Sequence, residues 1–195
     1  MPGALLLKKV EAALQGGCRM VQLRNKNASY TELKQQAQQL LALCRQFQAQ
    51  LFINDNLSLA LDIGADGVHL GRDDIDIAAA RCQCDKSFII GATCHNSLSF
   101  ARQAVDQGAN YLAFGRFFSS TTKAGAPPAT LTILAQAKQA TNLPVVAIGG
   151  ITVDNARTVI DNGADCVAVC HDLFHHRQLS VINERAMRFT QLFAS

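Results

Sequence analysis

Gly64-Ala65-Asp66-Gly67-Val68-His69-Leu70 (GADGVHL, 64–70) ends one kind of structure and begins another with almost nothing between them. The glycine suits the C-terminal cap of a helix, and the β-branched and apolar residues that follow almost at once read as a strand. The module recurs as Gly108-Ala109-Asn110 ahead of YLAFG (111–115) and as Gly163-Ala164-Asp165 ahead of CVAVC (166–170). Helix, cap and strand joined this tightly, several times over, predict a parallel α/β fold.

Working outward, the same kind of apolar run appears at MVQLR (20–24), LFIN (51–54), FIIGAT (88–93) and VVAIG (145–149). Helical periodicity fills the intervals: Ala4–Gln15, Tyr30–Phe47, Leu98–Val105, Leu131–Ala140 and Asn155–Ile160. With GVHL (67–70) the strands number seven, whereas a (β/α)8 barrel needs eight, and the chain opens on a helix with no strand before it. The expectation is a single barrel domain over 1–195 that lacks the first strand of a TIM barrel. An open doubly wound sheet is the alternative, but it gives no reason for polar residues to recur at strand ends.

Composition narrows the function classes. Of 195 residues, 49% are hydrophobic and 17% charged, which argues against disorder. A net charge of +3 without a basic run argues against nucleic acid as a partner. No apolar stretch is long enough to span a bilayer, and MPGALLLKKVEAALQ reads as an amphipathic helix, not a signal peptide. Seven cysteines with no C-x-x-C pair suit free thiols in a reducing compartment, so the expected location is the cytoplasm.

In a barrel the site forms at the carboxyl ends of the strands, so the residues there carry the argument. Gln22, Arg24 and Lys26 alternate onto one face, and two cations at a barrel mouth call for an anion. Asn54-Asp55 and Asp73-Asp74 follow neighbouring strands. Carboxylates of Asp55 and Asp74 that converge would suit Mg²⁺ shared with a phosphate; the competing reading is that Asp55 and Asp73 or Asp74 cap the next helices. His69 is expected to be a packed barrel residue. Thr93 ends the fourth strand with a hydroxyl. Gly149-Gly150 and Cys170-His171 follow the last two strands, where barrel phosphate sites commonly lie. The loop FFSSTTKAGAPP (117–128), dense in hydroxyls and carrying Lys123, would bridge two anionic centres.

Taken together these residues resemble the thiamine phosphate synthase family. The likeness runs from about Pro2 to Phe174 and includes VQLRNK, NDN, GADGVHLGRDD, FSSTTK and VVAIGGIT, in order. It implies a (β/α)8 barrel that joins a hydroxymethylpyrimidine diphosphate to a thiazole phosphate, giving thiamine phosphate and pyrophosphate. It implies Gln22, Arg24, Lys26, Asn54, Thr93 and Lys123 as the pyrimidine diphosphate site, with Arg24, Lys26 and Lys123 acting on the leaving group. It implies Asp55 and Asp74 as Mg²⁺ ligands, and Ser120, Thr121, Thr122, Gly150, Cys170 and His171 as the thiazole phosphate site. The partners implied are small phosphorylated substrates; a homo-oligomer is left open. Three departures accompany the likeness: the family's first strand has no counterpart, Ser119 and Ser120 replace its usual proline and threonine, and Cys170-His171-Asp172-Leu173 replaces its V-S-A-[IL], so that Asp172 must point away from a phosphate. The rival readings are a thiazole tautomerase-like paralogue and a non-catalytic sensor of phosphorylated ligands.

Overall fold

The computed structural model describes residues 3–119 and 128–194. The chain runs α1 (Gly3–Gln15), β1 (Met20–Leu23), α2 (Tyr30–Gln46), β2 (Gln50–Asn54), α3 (Leu57–Ile63) and β3 (Gly67–Leu70). It continues with α4 (Ile77–Arg81), β4 (Ile89–His95), α5 (Leu98–Asp106), β5 (Tyr111–Phe114) and α6 (Thr132–Ala140). It closes with β6 (Val145–Ile148), α7 (Ala156–Asp161), β7 (Cys166–Ala168), α8 (His171–Phe174) and α9 (Leu179–Ala194). All strands are parallel, in sequence order β1 to β7. This is a TIM-barrel-like sheet with one strand fewer than a closed barrel: among the described residues β1 pairs only with β2, and β7 only with β6.

The Gly-Ala-Asp/Asn modules do more than cap helices. Gly64, Gly108 and Gly163 take positive φ (67°, 92° and 107°), where a side chain would be strained. The third residue then reaches back to the strand before it. Asp66 accepts from the Leu51 N–H, Asn110 from Ile90 and Asp165 from Val145, at 2.7–2.8 Å. The backbone N–H groups of Asp66, Asn110 and Asp165 donate to the carbonyls of the same three residues, at 2.7–3.1 Å. Each module thus clamps the start of one strand to the next, which fixes register in β2/β3, β4/β5 and β6/β7.

Alternate strand residues sort into two layers. Leu51, Ile53, Val68, Leu70 and Ile90 pack outward against α1, α2 and α3; Ala92, Cys94, Leu112, Phe114, Val145 and Ala147 pack outward against α5, α6, α7 and α9. The inner face carries a smaller cluster of Phe52, Tyr111, Ala113 and Val146. Toward the two ends of the sheet this inner face opens: Met20 on edge strand β1 and Ile148 on β6, next to edge strand β7, are both 39% exposed. The helix layer bridges the seam that the strands leave. Gly16 sits against Asn183 and Ala186 so closely that a Cβ would collide, and α9 returns hydrogen bonds from Asn183 to Ala12 O and from Thr190 to Gly16 O. Buried Lys9 donates to Phe174 O at 2.7 Å, tying α1 to the end of α8.

Candidate functional site

The carboxyl ends of β1, β2 and β3 bring Arg24, Lys26, Asn54, Asp55 and Asp74 to one rim. Lys26 Nζ lies 3.2 Å from Asp55 Oδ2. Arg24, Lys26, Asn54, Asp55, Asn56 and Tyr30 line an open cavity of about 400 Å³. Asp55 is held at φ 64°, a left-handed conformation uncommon outside glycine, at the point where β2 turns into α3. A second open cavity, at the amino ends of β2 and β4 near Gln50, Asp66 and Ile89, is at the far end of the strands from this rim.

The capping alternative for the aspartates is overturned. The cap of α3 is Asn56, whose side chain accepts from Leu59 N, and the cap of α4 is Asp76, which accepts from Ala78 N and Ala79 N. Asp55 and Asp74 are therefore left to face one another. Burial raises the Asp74 pKa; the Gly71 N–H, 2.6 Å from Oδ2, lowers it; and Asp55 raises it again by hydrogen bonding and by charge, with Lys26 opposing. Two carboxylates that share a site repel unless a proton or a cation lies between them. Mg²⁺ takes one or two carboxylates and completes its octahedron with phosphate oxygens and water, so this pair fits the ion.

Gln22 is exposed on β1, opposite Phe52 of β2. Thr93 on β4 is half-buried and bonded to His69 Nε2 at 2.8 Å, and His69 Nδ1 meets the Tyr111 hydroxyl at 2.9 Å. His69 is packed, as expected, but it is packed by hydrogen bonds that the sequence did not announce.

On the other side of the mouth, Gly149 and Gly150 both take positive φ (101° and 67°). A Cβ on Gly150 would strike the backbone of Phe118 and Ser119, so the bare glycine lets the loop after β5 lie against the loop after β6. Asp172 points away from the rim: it is buried, accepts from Val153 N at 3.1 Å, and is gripped by Arg185 Nε at 3.1 Å and Nη2 on its other oxygen. Arg185 stands on α9, thirteen positions along the chain, and no local motif marks the pairing. His171 stacks on His175 with ring centroids 4.5 Å apart. Desolvation raises the Cys170 pKa and the Arg24 guanidinium opposes it, which places the end of β7 within electrostatic reach of the end of β1, across the seam. Burial pushes Cys94 up to about 12, so the cysteine nearest Thr93 in sequence offers no thiolate. Ser120, Thr121, Thr122 and Lys123 lie outside the described residues.

Comparison with known proteins places the chain in a family. The family model described as Thiamine monophosphate synthase matches residues 2–173. A thiamine-phosphate synthase of Marinobacter nauticus is 51% identical over 193 residues, covering 99% of this chain and 86% of that protein. One from Alcanivorax borkumensis is 47% identical over 192 residues, covering 98% and 88%. Among solved structures, a thiamine phosphate pyrophosphorylase from Pyrococcus furiosus superposes with a TM-score of 0.87 at 33% identity, over 96% of this chain and 89% of that one. A 3-hexulose-6-phosphate synthase, at 15% identity and TM-score 0.68, shares the fold alone.

Proposed function

The chain belongs to the thiamine monophosphate synthase family, and we propose that it builds thiamine phosphate at the rim just described. It is a transferase of thiamine biosynthesis that condenses 4-amino-2-methyl-5-(diphosphooxymethyl)pyrimidine with a thiazole phosphate and releases pyrophosphate. The observation that carries the site assignment is the convergence of Asp55, Asp74 and Lys26 beside Arg24, with both aspartates relieved of capping.

Gln22, Asn54 and Thr93 would hold the pyrimidine, while Arg24, Lys26 and Lys123 would meet the diphosphate. As pyrophosphate departs ahead of bond formation, negative charge grows on it, and cations held near the diphosphate would stabilise that charge. Mg²⁺ held by Asp55 and Asp74 would add charge neutralisation on the diphosphate oxygens. The thiazole nitrogen then attacks the pyrimidinylmethyl carbon, so no protein nucleophile is needed. Backbone amides around Gly150 and Cys170-His171, with the hydroxyls of Ser120, Thr121 and Thr122, would bind the thiazole phosphate; the burial of Asp172 against Arg185 supports this by removing a repelling charge. We place the whole chain in one barrel domain and the reaction in the cytoplasm. Among the described residues no helix is long and apolar enough to cross a membrane.

The test supplies the full chain with both phosphorylated substrates and Mg²⁺ and measures thiamine phosphate and pyrophosphate in equal amounts. Binding of either substrate without product would favour a sensor instead.

A further inference from the structure

Inside the sheet, three side chains from three adjacent strands form one line: Tyr111 of β5, His69 of β3 and Thr93 of β4. The line crosses β4 at Gly91, which pairs with both His69 and Tyr111. A Cβ on Gly91 would run into the Tyr111 ring and hydroxyl, so glycine there is what lets the ring lie across β4 and reach β3. The ring is further fixed by an edge contact with Phe52 (centroids 5.8 Å, planes at 88°) and by stacking on His69 (5.6 Å, 23°). Tyr111 and His69 are both buried, at 7% and 9% exposure.

The hydrogen-bond pairing along this line favours one arrangement of protons. Burial raises the Tyr111 pKa, so the hydroxyl keeps its proton. Among the described residues that hydroxyl has no hydrogen-bond partner other than His69 Nδ1. If Nδ1 carried a hydrogen, the Tyr111 proton would be stranded among Phe52, Ile89 and the strand backbone, an outcome that buried polar groups avoid. A doubly protonated ring would strand it equally. Tyr111 therefore donates to Nδ1, which leaves the hydrogen on Nε2, and Nε2 donates to Thr93 Oγ1 at 2.8 Å. One acceptor position of the Thr93 oxygen is then filled, and its own proton is free to point into the mouth.

We infer that Tyr111 and His69 are positioning residues that set Thr93 as a hydrogen-bond donor, so that this wall of the site recognises an acceptor atom on the substrate (a ring nitrogen or a phosphoryl oxygen). The inference rests on the reading above only in taking Thr93 to face the pyrimidine diphosphate. It makes the aromatic wall of the barrel part of substrate selection, through a relay two side chains deep.

Two measurements test it on the full chain. The first is the ¹⁵N resonances of His69 in histidine-labelled protein without substrate at neutral pH, assigned by their loss in His69→Gln. Nδ1 is expected at the unprotonated position and Nε2 at the protonated one, and Tyr111→Phe is expected to shift the ring toward a mixture of tautomers. A hydrogen on Nδ1 in the parent, or a ring indifferent to Tyr111→Phe, overturns the inference. The second is the Kd of the pyrimidine diphosphate. Tyr111→Phe should weaken binding about fivefold to tenfold in the parent and leave it unchanged in Thr93→Val, because the relay acts through Thr93 alone. Additive losses in the double variant overturn the positioning role even if the tautomer is right. A parent that binds no pyrimidine diphosphate would fault the proposed function, while the ring tautomer would still be decided by the resonances.

Discussion

Asp74 is a residue at which negative charge is disfavoured in this fold, and that penalty is itself testable. The folded pKa of Asp74 lies above its ordinary value. A group shifted up in this way favours folding below its unfolded pKa, and that contribution is lost as pH rises through the folded value. Asp74→Asn retains an acceptor for the Gly71 N–H but removes the repulsion. In metal-free buffer at neutral pH it is expected to have a higher Tm than the parent, with the gap narrowing as pH falls toward the ordinary carboxylate range. Mg²⁺ should raise the Tm of the parent and leave that of Asp74→Asn nearly unmoved, since a cation stabilises only a site it can bind. A parent Tm indifferent to Mg²⁺ in the presence of pyrophosphate would count against the metal assignment. Nothing in the sequence marks which aspartates cap and which converge. Asn56 stands one position after Asp55 and Asp76 two after Asp74, and only the backbone path decides which side chain reaches the helix N–H groups.

Among the elements, the strand starts are where local sequence and tertiary pairing meet. Asp66 follows a helix cap and accepts from Leu51 N in the preceding strand, where Leu51 itself is fully buried. Asp66→Ala removes the acceptor and leaves that N–H short of a partner, a loss of about 1–3 kcal/mol. Chemical denaturation should show a lower midpoint at an unchanged slope; a midpoint within error of the parent would mean that the backbone bond from Asp66 N to Leu51 O suffices. The helix from Tyr30 was legible because leucine and alanine recur along it at three-to-four spacing; the structure adds a capping box, with Glu32 accepting from Ser29 N at 2.9 Å. The short helices α3, α4 and α8 were not legible. In α3, LSLALDI, large apolar residues fall at every second position as they would in a strand, while α4 and α8, with five and four residues, carry too few turns for a 3.6-residue period to show.

For the molecule as a whole, the first and last helices complete what the sheet leaves open, and α9 reaches the site through one ion pair. Arg185 holds Asp172 with both side chains largely buried. Arg185→Ala would leave that carboxylate buried without its cation, which costs about 3 kcal/mol and pushes the chain beyond β7 to rearrange. Thermal unfolding should register the loss. The affinity for the thiazole phosphate should fall as well, because a released Asp172 can turn toward the phosphate. Unchanged thiazole phosphate binding in a destabilised but folded Arg185→Ala would detach Asp172 from that site.

What the sequence determined by itself was the alternation of helix and strand, the parallel sheet, the missing strand of a barrel and the polar residues that stand at the strand ends. These are properties of spacing. A Gly-Ala-Asp cap, a two-residue alternation and a polar residue at a strand end are each written within a few positions of chain. What only the tertiary structure decided was the direction in which polar groups spend their bonds: Asp55 and Asp74 toward each other, Asp172 toward Arg185, and Tyr111 through His69 to Thr93. Those choices depend on residues far apart in sequence brought within 3 Å or so by the curl of the sheet, where burial makes an unmet hydrogen bond costly enough to select one arrangement.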